Sequence, residues 1–291
     1  MNEMLKSALA GKYAVGYFEA WDQYSFEAVL EAAEELKSPV ILGFGGSMMN
    51  QDWFDRNGLR GLAALGKAVA ENAEVPVSFL LNEVYTFEQI IRGLTWGFNA
   101  VMLDTSDLPF EDNITETRRV ANTAHAIGVD VEGECDRLPD ASGAMGSGHS
   151  SKTDPEAAVR YVEETGVDSL SVSIGNVHIL TEGRATIDFE LLTKLRDMVS
   201  VPLVVHGGTG FPDDAVKRAI ELGVTKFNIG TIMKKLYLEA IRDGVAQLPE
   251  KPDMQAIVGS RKSTDILENA KIRVKDEVKR RMIIYGSEDK G

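Results

Sequence analysis

The chain has 291 residues, 44% of them hydrophobic and 26% charged, enough apolar material for the core of one large domain. Its net charge of −14 argues against nucleic acid or an anionic membrane surface as the main partner. The single cysteine, Cys135, excludes an internal disulfide and a Cys-rich zinc site. No apolar run approaches the roughly 20 residues that span a bilayer, and the expected compartment is the cytoplasm.

Short β-branched runs alternate with amphipathic stretches along most of the chain. Strands are expected at residues 13–18, 39–44, 75–81, 100–103, 129–132, 169–174, 202–206 and 226–229. Between them lie helical patterns such as FEAVLEAAEELK, FEQIIRGLTWGF, ETRRVANTAHAIG, PEAAVRYVEETG and DAVKRAIELG. Several helices are expected to stop at or near Gly97, Gly128, Gly166 or Gly223, where glycine best accepts a left-handed cap. Pro109, Pro155 and Pro212 stand where a first helical turn accepts proline.

Eight strands with intervening helices form a parallel sheet, and the count of eight predicts closure into an α/β fold, the (β/α)8 TIM barrel. An open doubly wound sheet is the alternative, but no GxGxxG follows an early strand. The barrel is assigned to residues 1–248, and 249–291 form a C-terminal helical extension of the same domain. A closing helix is expected at 232–243 and a charged helix at 264–284, the latter packing across the barrel or onto a second subunit. The Gly/Ser-rich stretch 136–152 is long for a βα connection and predicts a loop over a site.

In a barrel, chemistry gathers at the C-terminal strand ends. Of four histidines, His125 falls inside a predicted helix and reads as a surface or packing residue. His178 and His206 follow the sixth and seventh strands, so both can reach one cavity and ligate a metal. Gly207, Gly208 and Thr209 follow His206 directly, in a turn that suits an anion, with a tight turn of the same composition as the plain alternative. Asn228, Gly230 and Thr231 at the eighth strand end reinforce the phosphate reading.

These pieces resemble the class II, metal-dependent fructose-bisphosphate and tagatose-bisphosphate aldolases. The similarity runs through YAVGYFEAWD, VMLDTSDLPFEDNI, GVDVEGEC, TDPEAAVRYVEETGVDSLSVSIGNVH, VPLVVHGGTG, KFNIGT and RRMIIYGS. It implies that His178 and His206 are ligands of a divalent metal, with Zn2+ usual in the family. It also implies that Gly207, Thr209, Asn228 and Thr231 contact a sugar phosphate or its enolate.

The chain departs from the family at the third strand end. An Asp-His pair is expected there, and Asn82-Glu83 stands instead. Asn82 occupies the catalytic position but has no proton-transfer pKa near neutrality. Glu83 would complete a two-His, one-carboxylate set, and its harder oxygen could shift preference towards Mn2+, Co2+ or Fe2+. The sixth-strand loop carries Glu182, and the first strand ends in Glu19 where an Asn-rich run is expected. Gly230 replaces a polar or acidic residue near the substrate. Glu19, Glu134 and His149 are the candidates to replace the missing acid–base group, with His149 ahead because the family draws proton-transfer groups from this loop. The expected function is a metal-dependent aldolase acting on a ketose phosphate or related sugar through a metal-stabilised enediolate. The alternatives are a metal-dependent isomerase or epimerase, and a non-catalytic sugar-phosphate binder. The resemblance also implies a homodimer or homotetramer.

Overall fold

The computed structural model describes residues 1–139, 152–178 and 184–291. Its strands are β1 (Val15–Glu19), β2 (Val40–Gly45), β3 (Val77–Val84), β4 (Ala100–Leu103), β5 (Asp130–Glu134), β6 (Ser169–Ser171), β7 (Leu203–Val205) and β8 (Val224–Ile229). They pair in parallel in chain order, and β8 returns to β1, so the barrel closes as expected. All eight predicted strands are present. β3 and β5 run further than expected, to Val84 and Glu134, while β6 ends earlier, at Ser171.

Alternation along the strands separates two cores. Leu42, Phe44, Phe79, Leu81, Val101, Leu170 and Phe227 belong to the large outer core beneath the helices. Val15, Tyr17, Ile41, Leu80 and Ala100 form an inner cluster with Leu5 and Ala8 of the N-terminal helix α1 (Asn2–Gly11). That helix, which the sequence reading did not foresee, covers the barrel end opposite the strand C-termini.

The helices that follow are α2 (Gln23–Glu35), α3 (Gln51–Asp55), α4 (Arg60–Asn72), α5 (Phe87–Trp96), α6 (Phe110–His125), α7 (Pro155–Thr165) and α8 (Phe189–Met198). The chain then forms α9 (Asp213–Glu221), α10 (Thr231–Ala246), α11 (Met254–Ile257) and α12 (Ile266–Tyr285). Local chemistry sets their ends. Asp22 and Ser25 form a capping box on α2, and Thr86 and Gln89 form one on α5. Pro155 opens α7, whereas Pro109 and Pro212 sit one position earlier, at the N-caps of α6 and α9.

α12 lies against α10, α2 and α9 of its own barrel. Its buried face is Ala270, Val274, Val278, Met282 and Tyr285, and the Tyr285 ring stacks on Phe227 at 4.8 Å. Lys271, Lys275 and Lys279 meet Glu31 and Glu35 of α2 in a ladder of ion pairs. None of the described helices is long and apolar enough to cross a membrane.

Candidate active site

Simple alternation would let only one of Asn82 and Glu83 face the barrel mouth. The register between β3 and β4 shifts between Leu81 and Val84, and Glu83 adopts a positive φ of 52°. This bulge turns Glu83 inward beside Asn82 while Val84 rejoins the outer core. A left-handed non-glycine residue costs on the order of 1 kcal/mol or more, and such strain collects at functional sites. Glu83→Gly is therefore expected to melt higher than Glu83→Ala, by about 1 kcal/mol of stability, because glycine accepts this φ freely. Equal melting temperatures would show that the backbone there is unstrained.

Glu83, His178 and His206 meet at the mouth, each offering one ligand atom within 4.8 Å of the others. Glu83 Oε1 lies 2.9 Å from His206 Nδ1 and 3.9 Å from His178 Nε2. The two imidazoles are nearly parallel, 13° apart, with centroids 5.6 Å apart. Ser47 Oγ donates to Glu83 Oε2 at 3.3 Å, leaving Oε1 turned to the histidines.

His206 is held from behind. Its Nε2 lies 2.8 Å from Glu132 Oε1, and both Glu132 oxygens accept from Lys226 Nζ at 2.7 and 2.8 Å. Glu132 and Lys226 are fully buried, and among the described residues His206 is the other group that pairs with Glu132. Nε2–H donation to Glu132 leaves the Nδ1 lone pair towards Glu83 and His178, the tautomer that a metal ligand needs. Nδ1 is buried and out of line for a hydrogen bond despite the nearby carboxylate oxygen. Glu83 Oε1 and His206 Nδ1 thus converge on one point that either a proton or a divalent cation fits.

Electrostatics agree. Burial opposes charge on His206, but the carboxylates of Glu132 and Glu83 outweigh it and raise its pKa to about 10. Burial likewise opposes ionisation of Glu83, yet His206 beside it draws the value down to about 2. The pocket stabilises positive charge between these groups, as a proton or as a metal ion.

Glu19, Asn82, Glu83, His178, His206, Gly207, Thr209, Asn228, Gly230 and Thr231 line a single cavity. Of the sequence-predicted substrate contacts, Gly208 alone is set back. Its N–H donates to Asn228 O at 2.9 Å, and its carbonyl accepts from Arg281. Gly207 has φ 69°, and a Cβ there would lie 2.2 Å from Val177 O, so only glycine brings this backbone so close. Thr209 Oγ1 accepts from Ile232 N at 3.3 Å, tying the glycine turn to the N-terminal end of α10. A glycine turn and the start of α10 therefore meet at this side of the cavity, a combination that suits an anion. The side-chain oxygens of Tyr17, Asn82 and Asn228 are buried with no hydrogen-bond partner among the described residues.

Glu134 lines a second, adjoining cavity that shares Glu83 and His178 with the first and also contains Asp104. Burial pushes its pKa up to about 8, and Ser171 Oγ donates to its Oε1 at 3.0 Å. His149 and Glu182 lie outside the described residues. His125 is remote, paired with Asp168 at 2.8 Å.

The sequence reading missed Tyr17, Met48 and Lys234, which line the cavity, and Glu132 and Lys226, which support His206. Lys226 carried a signal, a lone charge within an apolar strand. Glu132 lies two residues before Glu134 and therefore shares its face.

Glu83, His178 and His206, a group that could hold a metal ion, stand beside a glycine turn and a helix terminus at the C-terminal mouth of a (β/α)8 barrel, where barrel enzymes place their active sites. A family profile described as fructose-bisphosphate aldolase class-II matches residues 1–290. The chain is 36% identical over 261 residues to a fructose-bisphosphate aldolase of Geobacillus stearothermophilus, covering 89% of this chain and 90% of that protein. It is 34% identical over 310 aligned positions to the fructose-bisphosphate aldolase of Thermus caldophilus, covering 98% and 97%. The crystal structure of the YdjI aldolase from Escherichia coli K12 superposes with a TM-score of 0.83 at 30% identity, covering 99% of this chain and 97% of that one. The chain belongs to the class-II fructose-bisphosphate aldolase family, whose members are metal-dependent carbon–carbon lyases.

Proposed function

We propose that this aldolase cleaves a phosphorylated ketose at a single metal site formed by Glu83, His178 and His206. The observation that carries this reading is the convergence of one ligand atom each from Glu83, His178 and buried His206 within 4.8 Å of one another. A divalent ion held there supplies Lewis acidity to the substrate carbonyl; Zn2+ is the family expectation, and the carboxylate ligand also suits Mn2+, Co2+ or Fe2+. Gly207, Thr209, Gly230 and Thr231 seat the phosphate against backbone donors and the α10 terminus. The carbonamide oxygens of Asn82 and Asn228 accept hydrogen bonds from substrate hydroxyls, which satisfies atoms otherwise left unpaired.

Cleavage requires that the C4 hydroxyl lose its proton as the C3–C4 bond breaks. The O–H electron pair becomes the new aldehyde C=O, and the C3–C4 pair passes into the carbonyl system. Asn82 cannot take that proton. We assign the transfer to Glu134, whose Oε2 is free of the Ser171 contact and whose buried carboxyl holds a proton at neutral pH. In its ionised form, which a cation bound at the adjoining triad would favour, Glu134 would accept the C4 hydroxyl proton and return it to C3. Asn82→Ala is expected to lower kcat/KM by about 10- to 100-fold with metal content unchanged, since it removes a positioning contact. An unaltered rate would remove Asn82 from the substrate site.

Chelation tests the whole reading. EDTA should abolish release of an aldehyde fragment from a ketose phosphate, and added divalent ion should restore it. Because protons compete for Nδ1, metal affinity should weaken as pH falls below the His206 value of about 10. Cleavage that persists in excess chelator would rule the proposal out.

A further inference from the structure

The wall of the cavity formed by β1 carries a phenol that neither the triad nor the glycine turn employs. Tyr17 points inward two residues before Glu19, the end of the strand, and so stands one layer below the rim. Its ring belongs to the inner cluster with Val15, Ile41 and Leu80, and the residue is 1% exposed. Lys226 Nζ lies 5.1 Å from the ring centre, so the phenol abuts the chain of contacts that fixes His206. Its register partner on β8 is Asn228, which lines the same cavity. Among the described residues no group bonds the Tyr17 hydroxyl.

Three carboxylates stand close enough to act on this hydroxyl, and each has other partners. Glu19 pairs with Lys234, Glu83 with Ser47 and His206, and Glu132 with His206 and Lys226. Burial, and after it these negative charges, push the phenol pKa well above its ordinary value, so the hydroxyl keeps its proton and serves as a donor. A buried donor without an acceptor costs stability, and one in a cavity wall calls for an acceptor that arrives with a ligand. The unpaired atoms of this cavity sort by chemistry: the side-chain oxygens of Asn82 and Asn228 accept, and Tyr17 donates. Substrate hydroxyls satisfy the two carbonamide oxygens. The carbonyl oxygen of a ketose bears no hydrogen, so of these three atoms it can pair with Tyr17 alone. When the C3–C4 bond breaks, its electron pair moves into the carbonyl system and that oxygen gains negative charge. A hydrogen bond to it then strengthens, most of all where water is excluded.

We propose that Tyr17 is a catalytic residue whose hydroxyl donates a hydrogen bond to the ketose carbonyl oxygen and stabilises the negative charge that develops there during cleavage. This deepens the aldolase reading and rests on it. No proton leaves Tyr17; the phenol supplies a fixed dipole, and proton transfer stays with Glu134.

Tyr17→Phe keeps the ring and removes the donor. Cleavage is measured on the metal-loaded full-length protein with a panel of hexulose 1-phosphates and 1,6-bisphosphates. Dihydroxyacetone phosphate, the three-carbon fragment of each, reports the charge-forming step alone, through exchange of its hydroxymethyl C–H with solvent deuterium. In Tyr17→Phe both kcat and the exchange rate should fall at least about tenfold, with KM moved less than about threefold, because the donor acts chiefly on the charged state. Metal content and melting temperature should match wild type, since the hydroxyl bonds nothing in the free protein. Wild-type rates in the variant overturn the proposal, as does a rise in KM alone, which would mark a contact to an uncharged group. A clearly lowered melting temperature also overturns it, by showing the hydroxyl bonded within the protein. Each of these results leaves the aldolase reading standing. A wild type that neither cleaves any probe nor catalyses exchange would sink both.

Discussion

Lys226→Met is expected to destabilise the fold by about 3–5 kcal/mol, the cost of leaving a buried charge without its partner. Both members of the Glu132–Lys226 pair are fully buried, at 2.7 Å. Burial favours the neutral form of Lys226, and Glu132 opposes that. Methionine fills similar space but supplies no donor, so Glu132 keeps His206 Nε2 at 2.8 Å and the Ser169 hydroxyl at 3.3 Å, and loses its lysine. Pairing the change with Glu132→Gln should recover part of the loss, because the uncompensated carboxylate disappears. Thermal and denaturant unfolding of the two variants measure this directly. A single variant within about 1 kcal/mol of wild type would show that the pair contributes little.

The same pair links the core to the chemistry. Glu132 fixes the His206 ring and its tautomer, and Lys226 fixes Glu132. A slackened Glu132 therefore weakens metal binding as well as packing, by about 10- to 100-fold for such supporting residues. Stability and metal affinity should fall together along this chain of contacts.

How far the sequence revealed this arrangement depends on which interactions were local. The strands were legible because outward residues such as Leu42, Phe44 and Phe227 keep the period of two that the outer core demands. His178 and His206 were legible because strand ends in a barrel converge whatever the loops do. Glu83 was identified by resemblance alone, because strand alternation hides it; the bulge at its positive φ is a tertiary feature of β3 against β4. Lys234 was invisible for a related reason. It sits 215 positions from Glu19, and only barrel closure between β8 and β1 brings them together. α1 was missed because its short amphipathic pattern gains meaning only beneath the inner cluster of Val15, Ile41 and Ala100.

His206→Ala has the largest expected effect on activity. It removes a ligand atom and leaves Glu132 and Glu83 facing each other's charge across the gap, and kcat/KM should fall by at least about a thousandfold. Glu83→Ala should behave alike, although it also relieves no strain at its left-handed backbone. The most direct measurement is therefore elemental analysis of wild type, Glu83→Ala and His206→Ala purified side by side, with circular dichroism as the check on folding. Two imidazoles and a carboxylate that bind an ion predict about one equivalent of divalent metal in wild type and less than about a tenth of that in each folded variant. A full equivalent retained in both variants would contradict the account.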